Sequence, residues 1–365
     1  MSAQSPTGAQ TSAERQDPEP LWVPSEDRRQ RANLTRFGEW LATDRGVDLP
    51  QYDYPALWQW SVDHLGDCYA AIWDYFEIQS DSGYAGVLGR SEMPGAEWFP
   101  GARLNYAEHI FRAKDDGALA VQFAAEDREL QSWTWGELRS ETAAIAAGLR
   151  AAGVGVGDRV AAYLPNVPHA LAAGLACMSL GAIWSACSPD FGVRSVVDRF
   201  AQIEPTVLFA VDGYRYGGKG FSRLAEVRAL QDSLPTVGKT VLLPYLDNDV
   251  DLSGLDDTVL WEDFQQPDAE LTFERVPGEH PLWVVYSSGT TGLPKPIVHS
   301  HVGMLIDQIK YVHFHFDAHP GDRMFWFTTT GWVMWNVMLG VLLSEASIII
   351  YDGSPAYPDL GVLWD

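Results

Sequence analysis

The 365 residues predict an α/β protein built on doubly wound, mostly parallel sheets. Two observations lead there. Strand-like and helix-like segments alternate from residue 119 onward, as in crossover connections with helices on both faces of a sheet. A short apolar run, 282–286, then breaks into Ser, Gly and Thr, the punctuation of a buried strand ending at the ligand edge of such a sheet.

The elements follow in order. Residues 119–123 are expected as a strand. Thr134-Trp-Gly-Glu137 has the form of a capping box and should open a helix that ends near Gly153. The pattern continues with strand 159–164, helix 168–180, strand 182–187, helix 193–203 and strand 206–211. A helix near 221–233 leads to strand 240–243, and 247–281 reads as an irregular acidic stretch. Gly153-Val-Gly-Val-Gly157 follows a helix and precedes a strand, the reverse of the dinucleotide-binding order, so it reads as a tight turn. Two uncharged runs, 170–188 and 324–344, approach membrane-spanning length. The first is broken by Gly181 and is followed by Pro189. The second holds Thr328-Thr-Thr-Gly331. Both therefore read as buried core elements.

Upstream, 28–79 carries Leu57, Trp58, Trp60, Leu65, Tyr69, Ile72, Trp73 and Phe76 at helix-like spacing. Such a stripe is packing surface. It predicts a helical cap, with its Gly/Ser/Pro connector, over residues 21–100. Residues 1–20 are polar and lack the basic start and apolar core of a signal peptide, so a disordered tail is expected. Residues 101–365 form the α/β domain.

Lys and Arg number 25 against 49 Asp and Glu, a net charge of −24. That balance disfavours nucleic acid and anionic membrane as partners and leaves small-molecule substrates. Positive charge for an anionic ligand must be local, and Lys295, Arg215 and Lys219 are the candidates. Cys68, Cys177 and Cys187 form no Cys-x-x-Cys pair and read as thiols in a reducing, cytoplasmic setting. His299/His301 and His313/His315 alternate, without the cysteines or spaced carboxylates of a zinc site.

The chemistry concentrates in Tyr286-Ser-Ser-Gly-Thr-Thr-Gly-Leu-Pro-Lys295. Gly289 and Gly292 permit a tight turn with inward N–H groups. Ser287, Ser288, Thr290 and Thr291 add hydroxyls, and Lys295 adds a charge. This is the equipment of a polyphosphate cradle, although the spacing is not that of the common P-loop. An isolated Ser/Gly/Thr loop would read as a surface turn. The preceding buried strand and the Gly, Gly, Lys register favour the cradle. Asp212-Gly-Tyr-Arg-Tyr-Gly-Gly-Lys219 follows a strand at the same edge, and either a surface loop or a phosphate contact fits it. No Gly-x-Ser-x-Gly elbow suggests an esterase.

The decapeptide resembles the phosphate loop of the adenylate-forming enzymes: acyl-CoA synthetases, luciferases and peptide-synthetase adenylation domains. Phe325-Trp-Phe-Thr-Thr-Thr-Gly-Trp-Val-Met-Trp-Asn336 is similar to the family's following motif, where a strand ends in Gly-Trp beside the acyl pocket. Trp98-Phe-Pro-Gly-Ala-Arg-Leu-Asn-Tyr106 resembles a segment of the acetyl-CoA synthetase branch. Leu21-Trp-Val-Pro-Ser25, Pro294-Lys-Pro-Ile-Val-His-Ser-His301, Thr328-Thr-Thr-Gly-Trp332 and Tyr351-Asp-Gly-Ser-Pro-Ala-Tyr-Pro358 resemble ligases that activate acetoacetate. The resemblance covers nearly everything from Leu21 onward.

It implies the fold of the family's N-terminal domain and two half-reactions with ATP, Mg2+ and CoA. ATP and acetoacetate would give an acyl-adenylate and pyrophosphate, and CoA would then take the acyl group and release AMP. It implies that Ser287, Ser288, Gly289, Thr290, Thr291, Gly292 and Lys295 hold the ATP phosphates, with Thr290 and Lys295 acting in catalysis. Arg215 and Lys219 would contact the CoA phosphates, and Trp332, Val333 and Met334 would line the acid site. Acetyl-selective relatives carry a small polar residue where Met334 stands. The family's adenine, ribose, hinge and lid-lysine segments have no counterpart in these residues. The chain is therefore expected to be an N-terminal portion without the C-terminal lid, and inactive by itself. The alternatives are another short-chain acyl-CoA synthetase, for acetate or propionate, and a non-catalytic fragment that binds phosphate or a partner chain.

Overall fold

A computed structural model describes residues 20–287 and 292–364, so the expected tail lies almost wholly outside the described residues. In chain order the first elements are α1 (Glu26–Arg31), α2 (Asn33–Arg45), α3 (Tyr54–Asp63), α4 (Leu65–Tyr75), β1 (Arg103–Leu104) and α5 (Tyr106–Phe111). Next come β2 (Leu119–Ala125), β3 (Arg128–Thr134), α6 (Trp135–Ala151), β4 (Arg159–Tyr163), α7 (Pro168–Ser179), β5 (Ile183–Cys187), α8 (Val193–Phe200) and β6 (Val207–Val211). They are followed by β7 (Gly213–Tyr216), β8 (Lys219–Ser222), α9 (Leu224–Ser233), β9 (Lys239–Leu243), β10 (Thr258–Leu260), α10 (Trp261–Phe264) and β11 (Val276–Pro277). The last are β12 (Pro281–Ser287), β13 (Lys295–Ser300), α11 (His301–Lys310), β14 (Arg323–Phe325), α12 (Val333–Val341) and β15 (Ser347–Asp352).

A seven-stranded sheet has the order β10-β9-β6-β4-β5-β12-β13 and is parallel except for β13. A four-stranded sheet has the order β14-β15-β2-β3, with β3 antiparallel. The period of two along each central strand deals its residues to opposite faces. Val160, Ala162, Val207 and Phe209 join one core, which also takes Val121 and Phe123 of β2 and Ile348 and Ile350 of β15. Ala161, Tyr163, Leu208 and Ala210 face a second core with Val196 and Phe200 of α8 and Val227 and Leu230 of α9. The doubly wound architecture thus rests on strands that are apolar on both sides.

Helix α7 is buried at nearly every position, which an uncharged, Ala-rich sequence permits. Helix α6 opens on the expected box: Thr134 N donates to Glu137 Oε2 at 2.7 Å, and Glu137 N donates to Thr134 Oγ1 at 3.2 Å. Helices α1 to α4 occupy much of the aromatic stripe. Phe37 meets Phe314 at 4.7 Å and Tyr75 at 5.1 Å between centroids, and Asn33 N donates to Asp317 Oδ1 at 2.8 Å. Among the described residues no helix is long and apolar enough to cross a membrane.

Four sequence expectations need correction. Residues 212–219 are not a loop but belong to the antiparallel hairpin β7–β8, turned by Gly217 and Gly218 at positive φ. The helix placed near 221–233 starts only at Leu224, because Phe221 belongs to β8. The acidic stretch 247–281 contains β10, α10 and β11: β10 lies parallel to the preceding strand β9, and β11 pairs with β1, far off in sequence. Strand β3 was not anticipated: its residues are mostly exposed, so it carries little apolar signal.

Candidate active site

Strand β12 enters the Ser/Gly/Thr loop at Ser287, and β13 leaves it at Lys295, with Ser287 and Lys295 directly opposed in the antiparallel register. The Ser/Gly/Thr segment therefore joins two antiparallel strands at the edge of the central sheet. Ser288, Gly289, Thr290 and Thr291 lie outside the described residues. Gly292 has φ +126°, a conformation that favours glycine. Lys295 is exposed. Gln202 Nε2 donates to Pro294 O at 2.9 Å and ties the end of the loop to the segment after α8.

Beside this turn lies a small cavity. Trp184 and Ala186 of β5, Val284 to Tyr286 of β12, Thr330 and Gly331, and Asn336 of α12 enclose it. The 328–335 segment is pinned by polar contacts. Thr330 Oγ1 donates to Leu164 O at 2.7 Å, and Trp335 Nε1 donates to Asn166 Oδ1 at 3.1 Å. Asn166 Nδ2 in turn donates to Thr328 O at 3.3 Å and to Tyr351 O at 3.4 Å. At Gly331 a Cβ would come within 3.2 Å of Phe191 and 3.4 Å of Ser188 N, so the absent side chain lets this segment close on the loop after β5. The Tyr286 hydroxyl donates to Arg199 O at 2.8 Å, and burial holds its pKa well above the usual tyrosine range.

The structure thus brings Ser287 and Lys295 together, and through Tyr286 it sets them next to the Thr330–Gly331 segment. Trp332, at 62% exposed, and Val333 open α12 on its outer side, and Met334 is half-buried. None of these three walls the cavity among the described residues; Asn336, one turn beyond Trp332, does. Arg215 and Lys219 sit elsewhere, on the β7–β8 hairpin. Arg215 Nε lies 2.7 Å from Asp127 Oδ2. The Glu126 carboxylate accepts from Gly217 N, Gly218 N and Ser354 N, each at 2.7 Å.

Trp184 and Asn336 were missed as site residues. Asn336 had a signal, as the polar residue of an otherwise apolar helix; Trp184, inside an apolar strand, had none. His299 and His301 are structural. Trp283 Nε1 donates to His299 Nδ1 at 2.8 Å, and Tyr106 N donates to His301 Nδ1 at 3.2 Å. Burial pushes the His301 pKa down to about 3. The three cysteines are buried and unpaired, with burial pushing Cys68 up to about 11 and Cys187 up to about 12.

Comparison with known proteins places this geometry. A family model described as AMP-binding enzyme matches residues 109–365, and one described as acetyl-coenzyme A synthetase N-terminus matches 54–110. The chain is 41% identical over 357 residues to an acetoacetyl-CoA synthetase of Gallus gallus, covering 94% of this chain and 53% of the relative. It is 37% identical over 319 residues to a malonamoyl-CoA synthetase of Penicillium aethiopicum, covering 83% of this chain and 44% of that one. The solved acetoacetyl-CoA synthetase of Streptomyces lividans superposes with a TM-score of 0.91 at 48% identity, covering 95% of this chain and 53% of the other. The chain spans about half the length of the curated relatives it matches. With the family model matching residues 109–365, most of its length, this chain belongs to the AMP-binding enzymes.

Proposed function

We propose that the protein serves the activation of acetoacetate by ATP and its transfer to CoA. One observation carries the reading: β12 walls the cavity with Val284 to Tyr286 and runs straight into the phosphate turn. A small carboxylic acid at the mouth of that cavity would present its carboxylate to a phosphate held by the turn.

The first step joins the carboxylate oxygen to the α-phosphorus and releases pyrophosphate. Negative charge grows on the bridging oxygen and on the leaving group. Lys295, the loop N–H groups and the hydroxyls of Ser287, Ser288, Thr290 and Thr291 are the donors suited to it. Positioning and charge stabilisation are the protein's whole contribution, with no protein nucleophile. Magnesium would arrive on the nucleotide phosphates, its usual mode beside a polyphosphate. In the second step the CoA thiolate attacks the acyl carbon and AMP leaves. Arg215 and Lys219 suit the CoA phosphates, because a half-exposed ion pair such as Arg215–Asp127 is weak enough to exchange. The three unpaired, buried thiols support a cytoplasmic setting.

The test is pyrophosphate exchange into ATP that depends on added acid, measured on a full-length protein that carries these residues. Acetoacetate should support it best, and absence of exchange with any acid overturns the reading. The match of 54–110 to the acetyl-coenzyme A synthetase N-terminus favours a second reading, a shorter acid. Faster exchange with acetate than with acetoacetate would establish that one. Acetoacetate and malonamate both carry a carbonyl on the carbon two along from the carboxylate, so malonamate belongs in the same panel.

A further inference from the structure

The two-residue turn between β2 and β3 sets two carboxylates, Glu126 and Asp127, against the β7–β8 hairpin, and they do different work. Glu126 accepts from Gly217 N, Gly218 N and Ser354 N, each at 2.7 Å. Releasing it would leave three backbone donors without an acceptor, so Glu126 is a fixed clasp. Asp127 is held more loosely. Its Oδ2 lies 2.7 Å from Arg215 Nε, yet the pair is not aligned as a hydrogen bond, and that buried Nε has no hydrogen-bond partner among the described residues. The Arg215 and Asp127 side chains are 43% and 40% exposed, so water screens their attraction.

Asp127 also has a second cation within reach. Its Oδ1 lies 3.7 Å from Arg128 Nε. Arg128 is anchored, because its guanidinium donates to Tyr245 O at 2.7 Å and lies 4.2 Å from the Tyr245 ring centroid. Asp127 therefore stands between a fixed arginine and one on the hairpin. The hairpin begins directly after β6, at the ligand edge of the central sheet. On a chain of net charge −24, an anion arriving there needs local positive charge, and Asp127 cancels that of Arg215 until something replaces it. A phosphate can replace it. It carries more charge than a carboxylate, and the guanidinium fork meets two of its oxygens at once.

We propose that Asp127 is the resident counter-ion of Arg215, and that a phosphate of the incoming thiol displaces it toward Arg128. Asp127 thereby sets how strongly the site prefers a phosphorylated thiol over an unphosphorylated one. This rests on the reading that Arg215 meets a phosphate of CoA. Glu126 keeps the hairpin in place throughout, so only the Asp127 side chain has to move.

The test is the ratio of kcat/KM for CoA to kcat/KM for pantetheine, which has the same thiol arm and no phosphate. It is measured as thioester formation by a full-length protein that carries these residues. Asp127→Asn suits the turn equally well and removes the charge. It should raise the ratio by about 2- to 5-fold, the worth of an exposed ion pair. Asp127→Ser should raise it likewise, and Asp127→Glu, which keeps the charge, should leave it near the wild-type value. Arg215→Ala should lower it. A distorted hairpin would lower the ratio too, so a gain cannot come from misfolding. If Arg215→Ala lowers the ratio and Asp127→Asn leaves it unchanged or lowers it, the inference is overturned and the CoA reading of Arg215 stands. A ratio indifferent to Arg215→Ala overturns both.

Discussion

At the scale of single residues, Lys295 and Met334 carry separable predictions. Lys295 is the exposed first residue of β13, opposite Ser287, so its charge stands where the Ser/Gly/Thr segment rejoins the sheet. Lys295→Ala should weaken MgATP binding by about 1.5–3 kcal/mol, the worth of a charge-assisted contact. Calorimetric titration checks this, and undiminished ATP affinity would remove Lys295 from the cradle. Met334 is half-buried at the start of α12, outside the wall that Asn336 occupies. Met334→Thr should shift the kcat/KM ratio of acetoacetate to acetate toward acetate by no more than roughly 1–3 kcal/mol, since a thioether adapts its shape and offers no specific donor. The strand that enters this loop was legible in the sequence, because Leu282–Tyr286 is a short apolar run that breaks into small polar residues. Trp184 was not, because an apolar strand hides an indole whose N–H is unpaired only in three dimensions.

At the scale of elements, the β7–β8 hairpin is held chiefly by the Glu126–Asp127 turn. One carboxylate accepts three backbone N–H groups, from Gly217, Gly218 and Ser354. Gly218 has φ +74°, and a Cβ there would lie 2.7 Å from the Tyr357 ring, so glycine is required on both counts. Glu126→Ala should leave those amides without an acceptor and raise their hydrogen-exchange rates, with little effect on the β12–β13 hairpin. Arg215→Ala should slow thioester formation and spare pyrophosphate exchange, because Arg215 lies on this hairpin and away from the phosphate turn. Equal losses in both assays would refute that split. Helix α6 shows the opposite case in legibility. Its box spans four consecutive residues, so Thr134 and Glu137 announce it locally, whereas the hairpin's clasp joins residues about 90 positions apart.

At the scale of the molecule, Asp352 couples the two sheets' loops to pH. It ends β15, accepts from the Tyr245 hydroxyl at 2.9 Å, and is pushed up to about 7 by burial, aided by Glu126 and Asp127 and opposed by the Tyr245 bond and by Arg128. Its ordinary value is 3.8, so the folded state binds the proton more tightly than the unfolded chain. Its contribution to stability is fully present below about pH 4 and is lost as pH rises through about 7. Asp352→Asn keeps an acceptor and removes the charge. Its Tm relative to wild type should therefore rise between pH 5 and pH 8. A constant Tm difference across that range would show that ionisation is not the cause.

The alternation of the central strands and helices and the capping box of α6 were set by local sequence alone: apolar periodicity and a four-residue cap. These signals act within a few residues, so no folded neighbour is needed to read them. Only the tertiary structure decided that 212–219 is part of a hairpin, that the exposed β3 joins the four-stranded sheet, that β10 lines up beside β9, and that β11 pairs across the chain with β1. The same holds for the cavity, where Trp184, Tyr286, Gly331 and Asn336 meet from three distant stretches. Whether a buried polar group finds a partner depends on groups brought together by the whole fold, and a single strand or helix carries no trace of that outcome.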